Sequence, residues 1–380
     1  MTFILYYIRR LFTRVDWVIL GAAVTITSFG MVTMYSFSGD TVFFDRQLIN
    51  LFLALGACFA CSLIDFRFLR HTGFVVALFI GSIVLLMSLF FLGYTSKGAQ
   101  SWFRIGSFSF QPSDPVKIIL IILLAKYFSR RHIAIKNIRH IIVSGLYAFV
   151  LFALVILEPD FGSAVIIFLL WFGMVLVSGI SYKHILAVAF IGITGFALMW
   201  GFVFKDYQKA RIKSFLHPLA DVRGAGYNAY QSTIAVGSGE LSGKGIGYGT
   251  QSRLRFLPEY QTDFVYAAFA EEWGFFGSMI LFGLYAVVIL RVLKISFLGQ
   301  SNFEILYGLG IGILFIVHFI VNVGMNIGLL PVTGVVLPFM SYGGSHLLTE
   351  YVALGILMGM RGYARSAHRE IVNRDIDLIS

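Results

Sequence analysis

An all-α membrane protein that crosses the bilayer about ten times is the fold class predicted here, on three observations. Hydrophobic residues make up 58% of the 380 residues and charged ones only 13%, against about half and about a quarter in soluble domains. Apolar runs of roughly 20 residues, the length that carries a helix across a core of about 30 Å, recur along the chain. Runs this apolar admit only helices, because an open sheet would leave backbone groups unpaired in lipid.

The spans fall at about 17–36, 47–64, 73–94, 115–128, 141–157, 161–179, 184–204, 264–290, 304–328 and 345–360. The first is long for a signal peptide and lacks a small-x-small cleavage site, so it reads as a retained span. Cys58 and Cys61 lie one turn apart in the second with no second ligand pair nearby, so they read as packing residues. The fourth span is short, and only Leu157 to Gly162 separates the fifth from the sixth. No internal repeat of the kind that builds coupled-ion transporters is visible.

Lys and Arg in short loops accumulate on the cytoplasmic side, and here they alternate. With the N-terminus inside, cytoplasmic segments hold Arg9, Arg10 and Arg14; Arg67 and Arg70; Lys126, Arg130, Arg131, Lys136 and Arg139; Lys183; Arg291 and Lys294; and Arg361, Arg365, Arg369 and Arg374. Short external loops hold only Arg46, Lys97 and Arg104. Both termini therefore read as cytoplasmic. Residues 1–380 read as a single transmembrane domain, with an N-terminal segment 1–15, a large external loop 205–263 between the seventh and eighth spans, and a tail 361–380. The net charge of +10 records topology and attraction to anionic membrane lipids, and implies no nucleic acid.

Ionisable groups at membrane depth are functional candidates by default. Asp263 closes the longest polar interval, where the eighth span begins. It reads either as the N-cap of that span, shared with Thr262, or as an ionised carboxylate suited to work as a base or metal ligand. Asp114 and Lys117 share one helix face at the start of the fourth span, as a capping acid with a local ion pair or as a cation set for an anionic headgroup. Glu158 and Asp160 flank Pro159 in a turn that is either solvated or a weak divalent-cation site. Glu271 and Glu272 cannot face lipid cheaply, and Lys117 is the partner expected by depth. Lys205, Lys209 and Lys213 suggest an amphipathic helix on the headgroups. Glycines from Gly237 to Gly249 surround Lys244 ahead of Arg253 and Arg255, without the spacing of a nucleotide loop. The stretch 330–345, broken by prolines and glycines, needs protein or a cavity to cover its backbone.

Six segments then carry a resemblance in order: KGAQSWF, QPSDPVK, EPDFG, IAVGSGELSGKGIGYGTQS, FLPEYQTDFVYAAFAEEWG and LPVTGVVLPFMSYGG. They resemble the signature blocks of the SEDS family (shape, elongation, division and sporulation), and GTQS ahead of FLPE is more similar to the RodA branch than to FtsW. The resemblance implies a peptidoglycan glycosyltransferase that polymerises lipid II at the outer face of the bacterial cytoplasmic (inner) membrane during elongation. It implies undecaprenyl diphosphate as leaving group, and a class B penicillin-binding protein and other elongation-complex proteins as partners. Asp263 matches the family's essential loop acid, and Asp114 with Lys117 its polar pair, where Glu is more usual than Asp114. Ser101 stands where relatives usually carry Arg before Trp102, and Arg104 is the candidate replacement. On this reading Asp263 is the general base or a ligand of Mg or Mn. Lys117, Lys244, Arg253 or Arg255 meets the diphosphate, and Trp102, Arg104, Glu272 and Ser341 join the substrate site. A lipid II flippase and a non-catalytic scaffold are the alternatives.

Overall fold

The computed structural model describes residues 13–38, 42–96, 99–106, 108–130, 138–179, 182–202, 204, 206–217, 226–254 and 256–377, with backbone alone beyond 361. Each apolar stretch read from the sequence is helical: α1 (Trp17–Ser38), α2 (Val42–Leu63), α3 (Thr72–Leu92), α4 (Ser113–Ser129), α5 (Ile138–Leu157), α6 (Phe161–Val177), α7 (Tyr182–Phe202), α11 (Val265–Phe297), α12 (Asn302–Asn326) and α13 (Gly344–Asp377). Among the described residues, seven helices are long and apolar enough to cross a membrane, and α6 is a shorter apolar one. The chain is a multi-pass membrane protein.

Burial separates peripheral from central helices. On α2 the buried positions are Gln47, Leu51, Ala54, Cys58 and Ser62, one stripe at helical spacing, while Phe52 and Leu53 point outward. Peripheral helices of this kind give lipid the rest of their surface. α4 is buried almost all round, from Val116 to Ala125, and α3, α6 and α12 pack against it. Only in that central place can Asp114 and Lys117 avoid lipid, which explains why the fourth apolar run is short.

α2 packs along α13, and α1 along α11. A Cβ on Gly355 would lie 2.6 Å from Cys58 O and 2.8 Å from Cys61 Cβ, so the two cysteines are packing residues of a close crossing and form no disulfide.

The two ends of the bundle differ. At one, Arg291 and Arg361 converge on Asp16 at 2.8 and 2.7 Å, Arg14 bonds Leu63 O at 3.0 Å, and Arg70 pairs with Glu304. The arginines counted as topology markers thus also tie α1, α11 and α13 together. At the other end, the loop face, a three-stranded antiparallel sheet lies between α3 and α4: β1 (Tyr94–Ser96), β2 (Ala99–Ile105) and β3 (Phe108–Phe110). Tyr94 pairs with Trp102, and Arg104 with Ser109. Hydropathy gave no sign of this sheet, whose strands are short and lie outside the apolar runs.

The large loop folds as α8 (Asp206–Leu216), α9 (Tyr227–Ser238) and the short α10 (Thr250–Arg253). The amphipathic helix expected near Lys209 and Lys213 is α8, while Lys205 lies outside the described residues. With α9 and residues 327–332, α8 encloses a cavity of about 190 Å³ lined by Arg211, Phe215, Tyr230, Thr233, Leu330 and Pro331 among others.

Candidate active site

Asp263 lies in the turn before α11, half-buried. The capping role considered for it belongs elsewhere. The N-cap residue is Phe264, without a side-chain cap bond, and Thr262 spends its hydroxyl on Glu259 at 2.9 Å. The amide of Ala267 in the first turn instead donates to Asn326 Oδ1 of α12 at 3.1 Å. A neighbouring helix thus supplies an acceptor to this helix end. That carboxylate points toward exposed Gly334, whose φ is +75° and on which an added Cβ would stand 3.6 Å from Asp263 Oδ2.

The irregular 330–343 segment closes over this turn, and side chains from four helices satisfy its backbone. Asn322 Nδ2 donates to Val335 O at 2.7 Å, His318 Nδ1 to Val336 O at 3.2 Å, and Tyr285 to Pro338 O. Phe339 N donates to Glu350 Oε2 at 2.7 Å, and Gln47 Nε2 to Ser341 O at 3.2 Å. This is the protein cover that broken backbone at membrane depth requires. Ser341, expected in the substrate site, is buried. Its hydroxyl accepts from Leu337 N at 2.8 Å and donates to Thr262 O at 2.7 Å. It holds the Asp263 turn instead of facing a ligand.

Deeper in the bundle lies a charge cluster of which the sequence showed only half. Lys117 Nζ is 3.1 Å from Asp114 Oδ1. His346 stands between two carboxylates, with Nδ1 3.2 Å from Asp114 Oδ1 and Nε2 2.8 Å from Glu350 Oε1. His318 packs its ring 5.1 Å from that of His346. These side chains and Thr349 line a cavity of about 10 Å³, room for about one water. His346 and Glu350 were legible only as a weak i, i+4 spacing in SHLLTE, and His318, Asn322 and Asn326 as a polar i, i+4, i+8 row in an otherwise apolar span.

Glu271 and Glu272 meet other partners than expected. Glu271, fully buried, accepts from Lys244 Nζ at 2.8 Å, Thr250 N at 2.7 Å, Thr250 Oγ1 at 3.1 Å and Gln251 N at 3.0 Å. Its cation is Lys244 rather than Lys117. Glu272 accepts from Ser36 at 2.6 Å and Gly247 N at 2.5 Å. α11 breaks at Gly274 (φ 64°, ψ −161°), and the glycine-rich loop enters the break: Lys244 N and Gly245 N donate to Glu271 O and Glu272 O, each at 3.0 Å. A Cβ on Gly274 would lie 2.2 Å from Gly243 N. Gly239, Gly243 and Gly274 permit this close approach, and the amides of Lys244 and Gly245 turn to the helix break. Glu272 and Lys244, expected at the substrate, hold the loop.

The remaining candidates are spread apart. Trp102 is half-buried on β2, and Arg104, exposed, stacks on Tyr94 with its guanidinium 5.7 Å from the ring centre. Arg253 is exposed at the end of α10, and Arg255 lies outside the described residues. Asp160 caps α6 through Ser163 N at 3.0 Å and accepts from Gln111 Nε2 at 2.8 Å. Glu158 is buried, with neither carboxylate oxygen hydrogen-bonded among the described residues. Burial, and then the Asp160 charge, push its carboxyl up to about 8.

The comparisons agree with the bundle and its broken segments. Residues 9–366 match the model of the FtsW, RodA and SpoVE family, described as cell cycle proteins. The chain belongs to this family. Over 307 residues it is 36% identical to the peptidoglycan glycosyltransferase MrdB of Escherichia coli K12, covering 80% of this chain and 81% of that protein. A chain of a peptidoglycan synthase complex that coordinates polymerization and crosslinking superposes with a TM-score of 0.79 at 28% identity, covering 92% of this chain and 98% of that one. The rod shape determining protein RodA of Thermus thermophilus gives 0.69 at 28% identity, covering 91% and 96%. RodA-type relatives are thus among its matches in both sequence and structure, in keeping with the branch read from GTQS.

Proposed function

We propose that this chain is a peptidoglycan glycosyltransferase that polymerises lipid II during cell elongation, with Asp263 as general base on the outer face of the cytoplasmic membrane. The observation that carries the reading is the Asp263 carboxylate. It sits on a turn held by other elements and lies beside exposed Gly334. The kinship with MrdB and with a peptidoglycan synthase complex supplies the substrate class.

In the reaction a sugar hydroxyl of the acceptor gives its proton to Asp263 as its oxygen bonds the anomeric carbon of the donor. The bond from that carbon to the polyprenyl diphosphate breaks, the diphosphate leaves with the electron pair, and the configuration inverts. Arg253, exposed at the end of α10, would meet the departing charge. Lys117 already faces Asp114 within the buried cluster and acts by fixing its charge there. Among the described residues no group of three or more His, Cys, Asp or Glu side chains is arranged to hold a metal ion. A divalent cation, Mg²⁺ or Mn²⁺, would be held by the Asp263 carboxylate and would supply neutralisation of the leaving charge. A class B penicillin-binding protein is the partner that would couple crosslinking to this polymerase.

Purified Asp263→Asn, with expression and partner binding intact, is expected to leave lipid II unpolymerised, with and without chelator. Undiminished glycan would remove Asp263 as base. Transfer of labelled lipid II across vesicles without chain growth would favour a flippase.

A further inference from the structure

We infer that Asn322, Asn326 and Ser341 are positioning residues that clamp both peptide planes flanking the Asp263 Cα and so aim its carboxylate. The inference rests on the reading of Asp263 as base. Asn322 Nδ2 and Asn326 Nδ2, one turn apart on α12, each donate to the Asp263 carbonyl at 3.0 Å. Two donors fill both lone pairs of that oxygen and fix the plane after the Cα. The plane before it is fixed by Ser341, whose hydroxyl donates to Thr262 O at 2.7 Å. With both planes held, the backbone angles of Asp263 are set, and only its side-chain torsions remain.

The residue types follow from the same geometry. Asn326 donates to Asp263 O and to Asn322 O at 2.8 Å, and its Oδ1 accepts from Ala267 N. Ser232 Oγ of α9 lies 2.9 Å from Asn326 O. At this size only a side-chain amide offers two donor hydrogens together with an acceptor. Both asparagines are fully buried, and Asn322 also binds Val335 O. The clamp thus joins the Asp263 turn to α9, α12 and the broken segment. An aspartate at 322 or 326 would set carboxylate oxygens against the Asp263 carbonyl.

The test is steady-state polymerisation of purified lipid II by Asn322→Asp, Asn326→Asp, Ser341→Ala and Ser341→Thr in the full chain, with rates taken per folded, monodisperse protein. Misplacing a reacting group by about 1 Å costs up to about 100-fold in rate. The aspartate variants are therefore expected to lose about 10- to 100-fold in kcat, with KM within about threefold. Ser341→Ala, the mildest cut, should lose about fivefold, and Ser341→Thr, which keeps the hydroxyl, should recover most of it. The acid limb of the pH profile should stay in place. Full kcat in folded Ser341→Ala, or a rise in KM without loss of kcat, would overturn the clamp, and Ser341→Ala decides the matter where an aspartate variant does not fold. Asp263→Asn runs alongside: activity there defeats the base reading itself, whereas silence there with full activity in the clamp variants defeats this inference alone.

Discussion

Cutting the Glu271 latch should loosen the glycine-rich loop by an amount that the structure bounds. Glu271 is fully buried and, among the described residues, accepts hydrogen bonds from Thr250, Gln251 and Lys244. Removing one partner of a buried ion pair costs about 3–5 kcal/mol. Here the cost is smaller, because the Lys244 side chain is 28% exposed and Thr250 is exposed, so both can turn to water. Glu271→Ala is therefore expected to favour the open loop by about 2–3 kcal/mol, a factor of about 30–150 in its population. Lys244→Ala leaves the buried carboxylate its donors from Thr250 and Gln251 and should cost about 1–3 kcal/mol. Tryptic cleavage after Arg253, followed by mass spectrometry, reads the open population directly when reclosing is fast. Wild-type cleavage in Glu271→Ala would refute the latch.

Three further outcomes follow from buried groups. Because the Glu158 carboxyl is raised from 4.5 to about 8, its neutral form stabilises the fold fully below about pH 4.5, and that stability is lost as pH rises through about 8. The difference is on the order of 5 kcal/mol, and thermal unfolding in detergent should show Glu158→Gln gaining most on the wild type at and above pH 8. Gly274→Ala places a Cβ 2.2 Å from Gly243 N at a positive φ, and should cost more than about 3 kcal/mol, seen as loss of monodisperse protein on gel filtration. His346→Ala leaves the Asp114 and Glu350 carboxylates without the ring between them, for about 3–5 kcal/mol. A Glu350→Gln change in the same chain should recover part of the lost melting temperature.

The Asp263 turn shows how far the sequence reaches. The boundary between polar loop and apolar span is a local property of neighbouring residues, so hydropathy located the helices, the large loop and the acid at its end. The same argument found Asp114 with Lys117, because i and i+3 lie on one helix face wherever the helix goes. What hydropathy cannot carry is which helix stands beside which. His346 meets Asp114 across 232 positions, and Asn322 and Asn326 reach Asp263 across 59 and 63. Lys244 took Glu271, which depth alone assigned to Lys117, because the glycine-rich loop enters the break at Gly274. The sheet of residues 94–110 was missed for a related reason: its short strands are stabilised by pairing with one another, and pairing is not written in any single strand. The sequence by itself determined where the chain enters the membrane and which acid waits at the loop's end. Packing between distant helices decided what holds that acid in place, since a buried polar group must find its partner wherever the fold brings one within reach.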